Sequence, residues 1–220
     1  MSEKKSNKIQ HPVSRLILSC VGISIMSFGI AFSVKASLGT SPISSLPYVT
    51  AEIWGMTVGT TTIITNFLMV FLQILILRRN FQLLQLLQLP MTVLFGIMID
   101  VAGSLIQGIT YSSYLQQWIL CAIGIALVGL GVSLEVTANL ITAAGEGLVL
   151  AICKVTPIKF GNMKVIFDVT MVCASILLGF LFLGHLSGVR EGTIAAALLV
   201  GQTTKVIRIP LKKVEVVLQG

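Results

Sequence analysis

Charge is scarce in this 220-residue chain. Charged side chains make up 10% of it, far below the roughly 25% of a soluble domain, which excludes an ordinary solvated surface. Acids are scarcest, eight against 15 Lys and Arg, and there are only two histidines. Cys20, Cys121, Cys153 and Cys173 lie apart within or beside apolar segments, with no Cys-x-x-Cys pair and no neighbouring His. Such cysteines read as small buried apolar residues and speak against a zinc or redox centre. His11 in a terminal tail and His185 at a loop edge leave a metal no ligand set. A G-x-S-x-G elbow, a Gly-rich phosphate loop followed by Lys, and a His cluster are also missing. No enzyme and no bound cofactor are therefore expected.

What is present is apolar: 55% hydrophobic residues and a mean hydropathy of +0.97. That is more apolar surface than one soluble core of this length can bury, so the chain reads as a polytopic membrane protein whose first partner is the lipid bilayer. The first apolar run follows a polar, basic stretch, residues 1–15, and continues past 18 residues without an Ala-x-Ala type cleavage site. It therefore reads as a span rather than a signal peptide. The basic residues sit at the edges of apolar runs, where membrane insertion collects them, so nucleic acid is not an expected partner.

The chain repeats itself at an offset of 102 residues. Pairing the segment that contains Ile17, Gly22, Gly29, Ala36, Leu38, Thr40, Leu46, Gly59 and Met69 with that containing Ile119, Gly124, Gly131, Ala138, Leu140, Thr142, Leu148, Gly161 and Met171 gives 14 identities in 55 ungapped pairs. Duplicated membrane halves commonly place a binding site where they meet, and interrupted helices at matching positions point to it.

Six apolar runs, 15–34, 58–77, 90–107, 118–137, 163–183 and 192–207, approach the roughly 20 residues that cross about 30 Å of hydrocarbon. Two shorter pieces, 42–54 and 146–155, do not cross comfortably as straight helices. The charges favour six crossings. That arrangement leaves only Lys35 and Arg190 outside, whereas eight crossings also expose Arg78 and Arg79. Both termini are then cytoplasmic. Three crossings per half make the second copy inverted, while eight would make the halves parallel. The expected fold is all-α, a polytopic helix bundle of two three-span inverted repeats, each with an additional short helix. Its parts are a cytoplasmic tail over 1–14, membrane repeats over 15–110 and 117–207, and a basic tail over 208–220.

Gln82, Gln85 and Gln88 in "NFQLLQLLQLP" predict either a segment lying at the cytoplasmic interface before Pro90 restarts the chain, or a Gln-lined face of the next span. The tail "KVIRIPLKKVEVVLQG" reads as a surface anchor near anionic lipid.

In the break "KASLGTSPISSLPY", Gly39 supplies the turn, Thr40 or Ser41 a cap, and Pro42 the first helical position. The free N–H groups of that helix would favour an anionic or carbonyl group, and a plain helix–turn–helix at the surface is the alternative. The matching break "TANLITAAGEGLVL" brings Asn139 and Thr142, with Glu146 aligned to Ser44. Glu146 is either a capping partner of its own helix or a ligand and proton site at the repeat interface. Asp100, Glu135 and Asp168 stand inside spans. Asp168 aligns with Asn66 and follows Lys164 by four residues, which allows either a polar seam or a plain i, i+4 ion pair. Asp100 has no basic neighbour in its own span. The candidate ligand-binding or proton-coupling set is thus Thr40, Ser41, Pro42, Asn66, Asp100, Asn139, Thr142, Glu146 and Asp168.

The blocks "LGTSPISSLPYVTAEIWGMTVGTTTIITNF", "ANLITAAGEGLVLAICKVTPIKFGNMKVIFDV" and "REGTIAAALLVGQ" resemble the YczE/YyaS/YitT group of bacterial integral membrane proteins. Glu146 stands where that group carries Asp, and Lys164 where it carries Arg. The resemblance implies a multi-pass protein of the bacterial plasma membrane and leaves the substrate open. The expected function is transport of a small polar solute or ion, by a carrier or exporter that alternately exposes the repeat interface. A substrate-binding subunit of a multi-component transporter and a non-transporting scaffold are the alternatives. A homo-oligomer is compatible with each.

Overall fold

The computed structural model describes residues 12–219, with side chains described through residue 212. The expected roles of Lys4, Lys5, Lys8 and His11, and of the Lys213 side chain, fall outside the described residues. Eight α-helices follow in order: α1 (Pro12–Ala36), α2 (Pro42–Trp54), α3 (Val58–Leu77), α4 (Gln88–Leu105), α5 (Tyr114–Ala138), α6 (Ala144–Val155), α7 (Phe160–Leu178) and α8 (Glu191–Gln219). A 3-10 turn (Arg78–Asn80) and a 3-10 helix (Leu83–Leu87) join α3 to α4, and a π-helical stretch (Gly179–Leu183) extends α7. With these extensions six helices are long and apolar enough to cross a membrane. The short helices α2 and α6, of 13 and 12 residues, reach only about 20 Å. The protein is a multi-pass, all-α membrane bundle.

Local chemistry sets the boundaries. Ser37 (φ 55°) closes α1 and Asn139 (φ 45°) closes α5 in the left-handed region, which a short polar side chain tolerates. Ser41 sits in extended backbone with Pro42 in the first turn of α2, where a missing N–H costs nothing. Thr57 and Ser113 begin α3 and α5 by accepting from the N–H groups of Thr60 and Gln116. Shifted by 102 residues, α1 coincides with α5 at both ends, and the starts of α2 and α3 coincide with those of α6 and α7.

Helices α1 and α5 run antiparallel in close contact. Gly22 faces Gly131 and Gly29 faces Gly124; a Cβ on Gly22 would stand 2.9 Å from the Gly131 carbonyl, and one on Gly29 2.8 Å from that of Gly124. Missing side chains allow this approach, as in other small-residue membrane contacts. At one end the Arg15 guanidinium donates to the Asn139 carbonyl (3.3 Å). At the other the Tyr111 hydroxyl donates to Ser37 Oγ (2.9 Å). The remaining packing exchanges partners between halves: α3 lies on α6 and α2 on α7, while α4 lies on α1 and α8 on α5. A cluster of Met69, Val70, Leu148, Val149, Met163 and Phe167 fills the space beneath the exchanged helices. Outward faces match too, with Ile64 and Ile166, Phe67 and Val169, and Leu75 and Leu177 exposed, as lipid-facing positions require.

One expectation is corrected. The Gln segment is neither wholly interfacial nor a simple helix face: Gln82 and Gln85 stand in the 3-10 segment, while Gln88 is buried and opens α4 two residues before Pro90. First-turn positions need no intrahelical donor, so Pro90 is accommodated inside the helix. The second short helix begins at Ala144, with Glu146 in its first turn as the alignment with the first short helix implies. Helix α8 runs on through Pro210 to Gln219, across the basic tail.

Candidate functional site

The two short helices meet at their N-terminal ends. Ile43 of α2 reaches Gly145 of α6 so closely that a Cβ on that glycine would collide with its Cδ1, and Met69 Sδ lies 3.7 Å from the same point. Ile43 and Gly145 are themselves 102 residues apart, so the seam closes at matched positions. Each short helix is then tied to a span of the other half. Ser45 Oγ pairs with Ser175 Oγ (2.8 Å), and Gln73 Nε2 donates to the Ala144 carbonyl (3.0 Å). Ser45, Gln73 and Ser175 are fully buried. Gln73 and Ser175 occupy equivalent positions in α3 and α7.

A cavity opens on either side of this seam, one of about 200 Å³ at the end of the bundle that carries Arg15, Arg78 and Lys154, the basic face, and one of about 220 Å³ at the opposite end. Their linings correspond. Leu84, Gln85, Gln88, Thr142, Leu150 and Lys154 line the first, and Leu186, Ser187, Arg190, Thr40, Tyr48 and Glu52 stand at the equivalent positions of the second. Glu52 accepts a hydrogen bond from Ser187 Oγ, with His185 Nε2 3.7 Å from its other oxygen. Arg190 donates to the Ser37 carbonyl (3.0 Å) and to Glu191 (3.2 Å).

The nine candidates scatter around this frame. Thr40, buried, lines one cavity and Thr142 the other. Ser41 Oγ donates to Ser44 Oγ (3.0 Å), and the Pro42 carbonyl accepts from Ser45 Oγ (2.7 Å), so both serve the first turn of α2. Asn139 is exposed and acts as the cap of α5. Asp100 lines neither cavity; it takes hydrogen bonds from Thr57 Oγ1 (2.6 Å) and the Gly59 N–H (2.8 Å), anchoring α4 to the start of α3, where a helix N-terminus favours an anion. Asn66 lies half-buried on α3.

Glu146 and Asp168 come together. Glu146, half-buried, has Lys164 and Asp168 of α7 as charged neighbours, and Glu135 of α5 lies within electrostatic reach of it. Lys164 Nζ is 2.5 Å from Asp168 Oδ1, the i, i+4 pair that the spacing allows. Glu135 was missed as a site residue, because only the packing of α5 near α6 relates it to Glu146. Glu52 was missed as well. The repeat supplied a signal, since it places Glu52 opposite Lys154. Among the described residues no three His, Cys, Asp or Glu side chains gather as a metal site would need.

This sequence is similar to those of known proteins. The chain is 27% identical over 166 residues to "Uncharacterized protein YyaS" of Bacillus subtilis (strain 168), covering 74% of this chain and 79% of that protein. It is 29% identical over 148 residues to "Uncharacterized membrane protein YczE" of the same organism, covering 67% of this chain and 66% of that one. No solved structure matches. The resemblance to YczE and YyaS read from the motifs is thereby borne out, and a family profile matches residues 13–209. The chain belongs to that family, the family of unknown function DUF6198.

Proposed function

We propose that this protein is a secondary carrier or exporter of a small polar solute or ion, working by alternating access at the seam between two inverted three-span repeats. One observation carries the reading: two cavities at opposite ends of the bundle are lined by repeat-equivalent residues and separated where Ile43 meets Gly145. Antiparallel α1 and α5 support the inversion, since equivalent helices of parallel repeats would point the same way. Positive residues at the end bearing Arg15, Arg78, Arg79 and Lys154 make that end cytoplasmic, in a bacterial plasma membrane with both termini inside. The bilayer and the solute are its partners. No enzymatic step, cofactor or nucleic acid enters this reading, and self-association is compatible with it.

In each cycle the short helices would part from the opposite half on one side at a time, connecting the seam to one cavity and then the other. Glu146 is the coupling group of this reading, an ionisable side chain among apolar spans held near Lys164 and Asp168. The test is solute flux into liposomes containing only this protein. Flux supports the carrier, tight binding without flux a substrate-binding subunit of a larger transporter, and neither a scaffold. Glu146→Gln is expected to abolish flux while changing stability by about 1 kcal/mol or less. Unchanged flux in the folded variant would remove Glu146 from the site.

A further inference from the structure

The cavity at the basic face has an unusual wall of side-chain carboxamides. Gln85 and Gln88 line it, with Gln82 beside them and Thr142 across from them. Behind the wall stands Gln73, fully buried at the end of a short chain of hydrogen bonds. Its Nε2 donates both to the Ala144 carbonyl (3.0 Å) and to Gln88 Oε1 (3.1 Å). The Ala144 carbonyl can only accept, which fixes the nitrogen of Gln73 there and leaves the Gln88 oxygen facing Gln73. Two groups remain: Gln73 Oε1, a buried acceptor that finds no partner among the described residues, and Gln88 Nε2, a donor on a lining residue.

Gly147 stands between Gln73 and the cavity. It lines the wall, and a Cβ there would stand 2.8 Å from Gln73 Oε1. Gln73 thereby holds Gln88 in place from behind, and a bound group that brings an N–H or O–H to the wall finds acceptors in the carboxamide of Gln85 and the hydroxyl of Thr142. The same group must offer an acceptor to Gln88 Nε2. Charge is almost absent from the lining, Lys154 being its one ionisable residue and an exposed one. A carboxylate or an ammonium ion would lose its water here with no buried partner in exchange.

From these groups we infer that the basic-face cavity binds a small uncharged solute presenting an adjacent donor and acceptor, a neutral amide being the simplest, recognised by Gln85, Gln88 and Thr142, with Gln73 positioning Gln88. The inference rests on the carrier reading and names the solute class at one of its two cavities. Thr142 Oγ1 completes the wall, and Gly147 must remain without a side chain for Gln73 to keep its place behind Gln88.

Acetamide is a suitable probe, titrated against the purified full-length protein in detergent by saturation-transfer NMR, with acetate and methylammonium as competitors. Saturable acetamide binding is expected, weakened about tenfold by Gly147→Ala and by Thr142→Val, which equals about 1.4 kcal/mol. Thr170→Val, at an exposed position of α7 that lines neither cavity, should leave it unchanged. Thr142→Val keeps the shape of the side chain, so it remains informative if Gly147→Ala fails to fold. Absent saturation, insensitivity to Thr142→Val, or equal competition by either ion would overturn the inference. Flux of some other solute together with insensitive acetamide binding sinks this assignment and spares the carrier. Sensitive acetamide binding without any flux sinks the carrier and spares the assignment.

Discussion

The two halves share a scaffold and differ in chemistry. Where the second half carries Glu135, Glu146, Lys164 and Asp168, the first has Ser33, Ser44, Thr62 and Asn66 at the equivalent positions. Hydroxyls can satisfy themselves within a helix. Ser33 Oγ donates to the Gly29 carbonyl (3.0 Å) and Thr62 Oγ1 to that of Val58 (2.7 Å), and both residues are buried. A carboxylate cannot bond a helix carbonyl and needs a donor side chain or a cation: Asp168 has Lys164 one turn earlier on α7, with Glu146 of α6 and Glu135 of α5 in the same neighbourhood. Helix starts match between the halves, whereas these four positions carry charge only in the second.

Packing differs between the halves as well. Helix α4 lies against α3, whereas α8 makes no comparably extensive contact with α7. The paired glycines register this difference: a Cβ on Gly59 would strike the Gly96 carbonyl and Asp100, while Gly161 has nothing within 4 Å.

The largest expected effect breaks or keeps the inversion itself. In a cysteine-free background, Asn80→Cys should resist a membrane-impermeant thiol reagent applied to intact cells and Ser112→Cys should react readily, since these loops lie at opposite ends of the bundle. Ready labelling at Asn80 removes six crossings and the inverted repeat with them.

The glycine pair gives the next largest contrast. Gly59→Ala is expected to destabilise by about 1–3 kcal/mol, because backbone rather than a movable side chain meets the new methyl. Gly161→Ala should be neutral or stabilising by up to about 1 kcal/mol, as alanine is the better helix former. Equal melting shifts for the two in detergent would contradict the asymmetry.

The two ties of the short helices complete the series. Gln73→Leu leaves the Ala144 carbonyl and Gln88 Oε1 without their donor and should cost about 1–3 kcal/mol. Ser175→Ala leaves Ser45 still bonded to the Pro42 carbonyl and should cost about 0.5–1.5 kcal/mol. Thermal melts of the two variants decide whether the Gln tie is the stronger.

Sequence alone determined which segments become helices and where most of them begin. An apolar run of about 20 residues has one stable conformation in hydrocarbon, because its backbone groups must bond internally. Pro42, Ser37 and Asn139 mark boundaries through local backbone preference, which needs no knowledge of the rest of the molecule. The repeat was legible for the same reason, since identities such as Gly22 with Gly124 survive in one dimension. Tertiary structure decided which polar residues share a neighbourhood. Asp100 looked alone in its span and found the first turn of α3; Asn139, a candidate ligand, became a helix cap. Glu135 joined Glu146 only because α5 passes near α6, and Glu52 entered a cavity only because α2 folds back beneath the loop before α8. Helix formation is a property of neighbours within about four residues. A site assembled from several elements depends on how those helices cross, and the glycines that set the crossing do not reveal, along the chain, which partner they will meet.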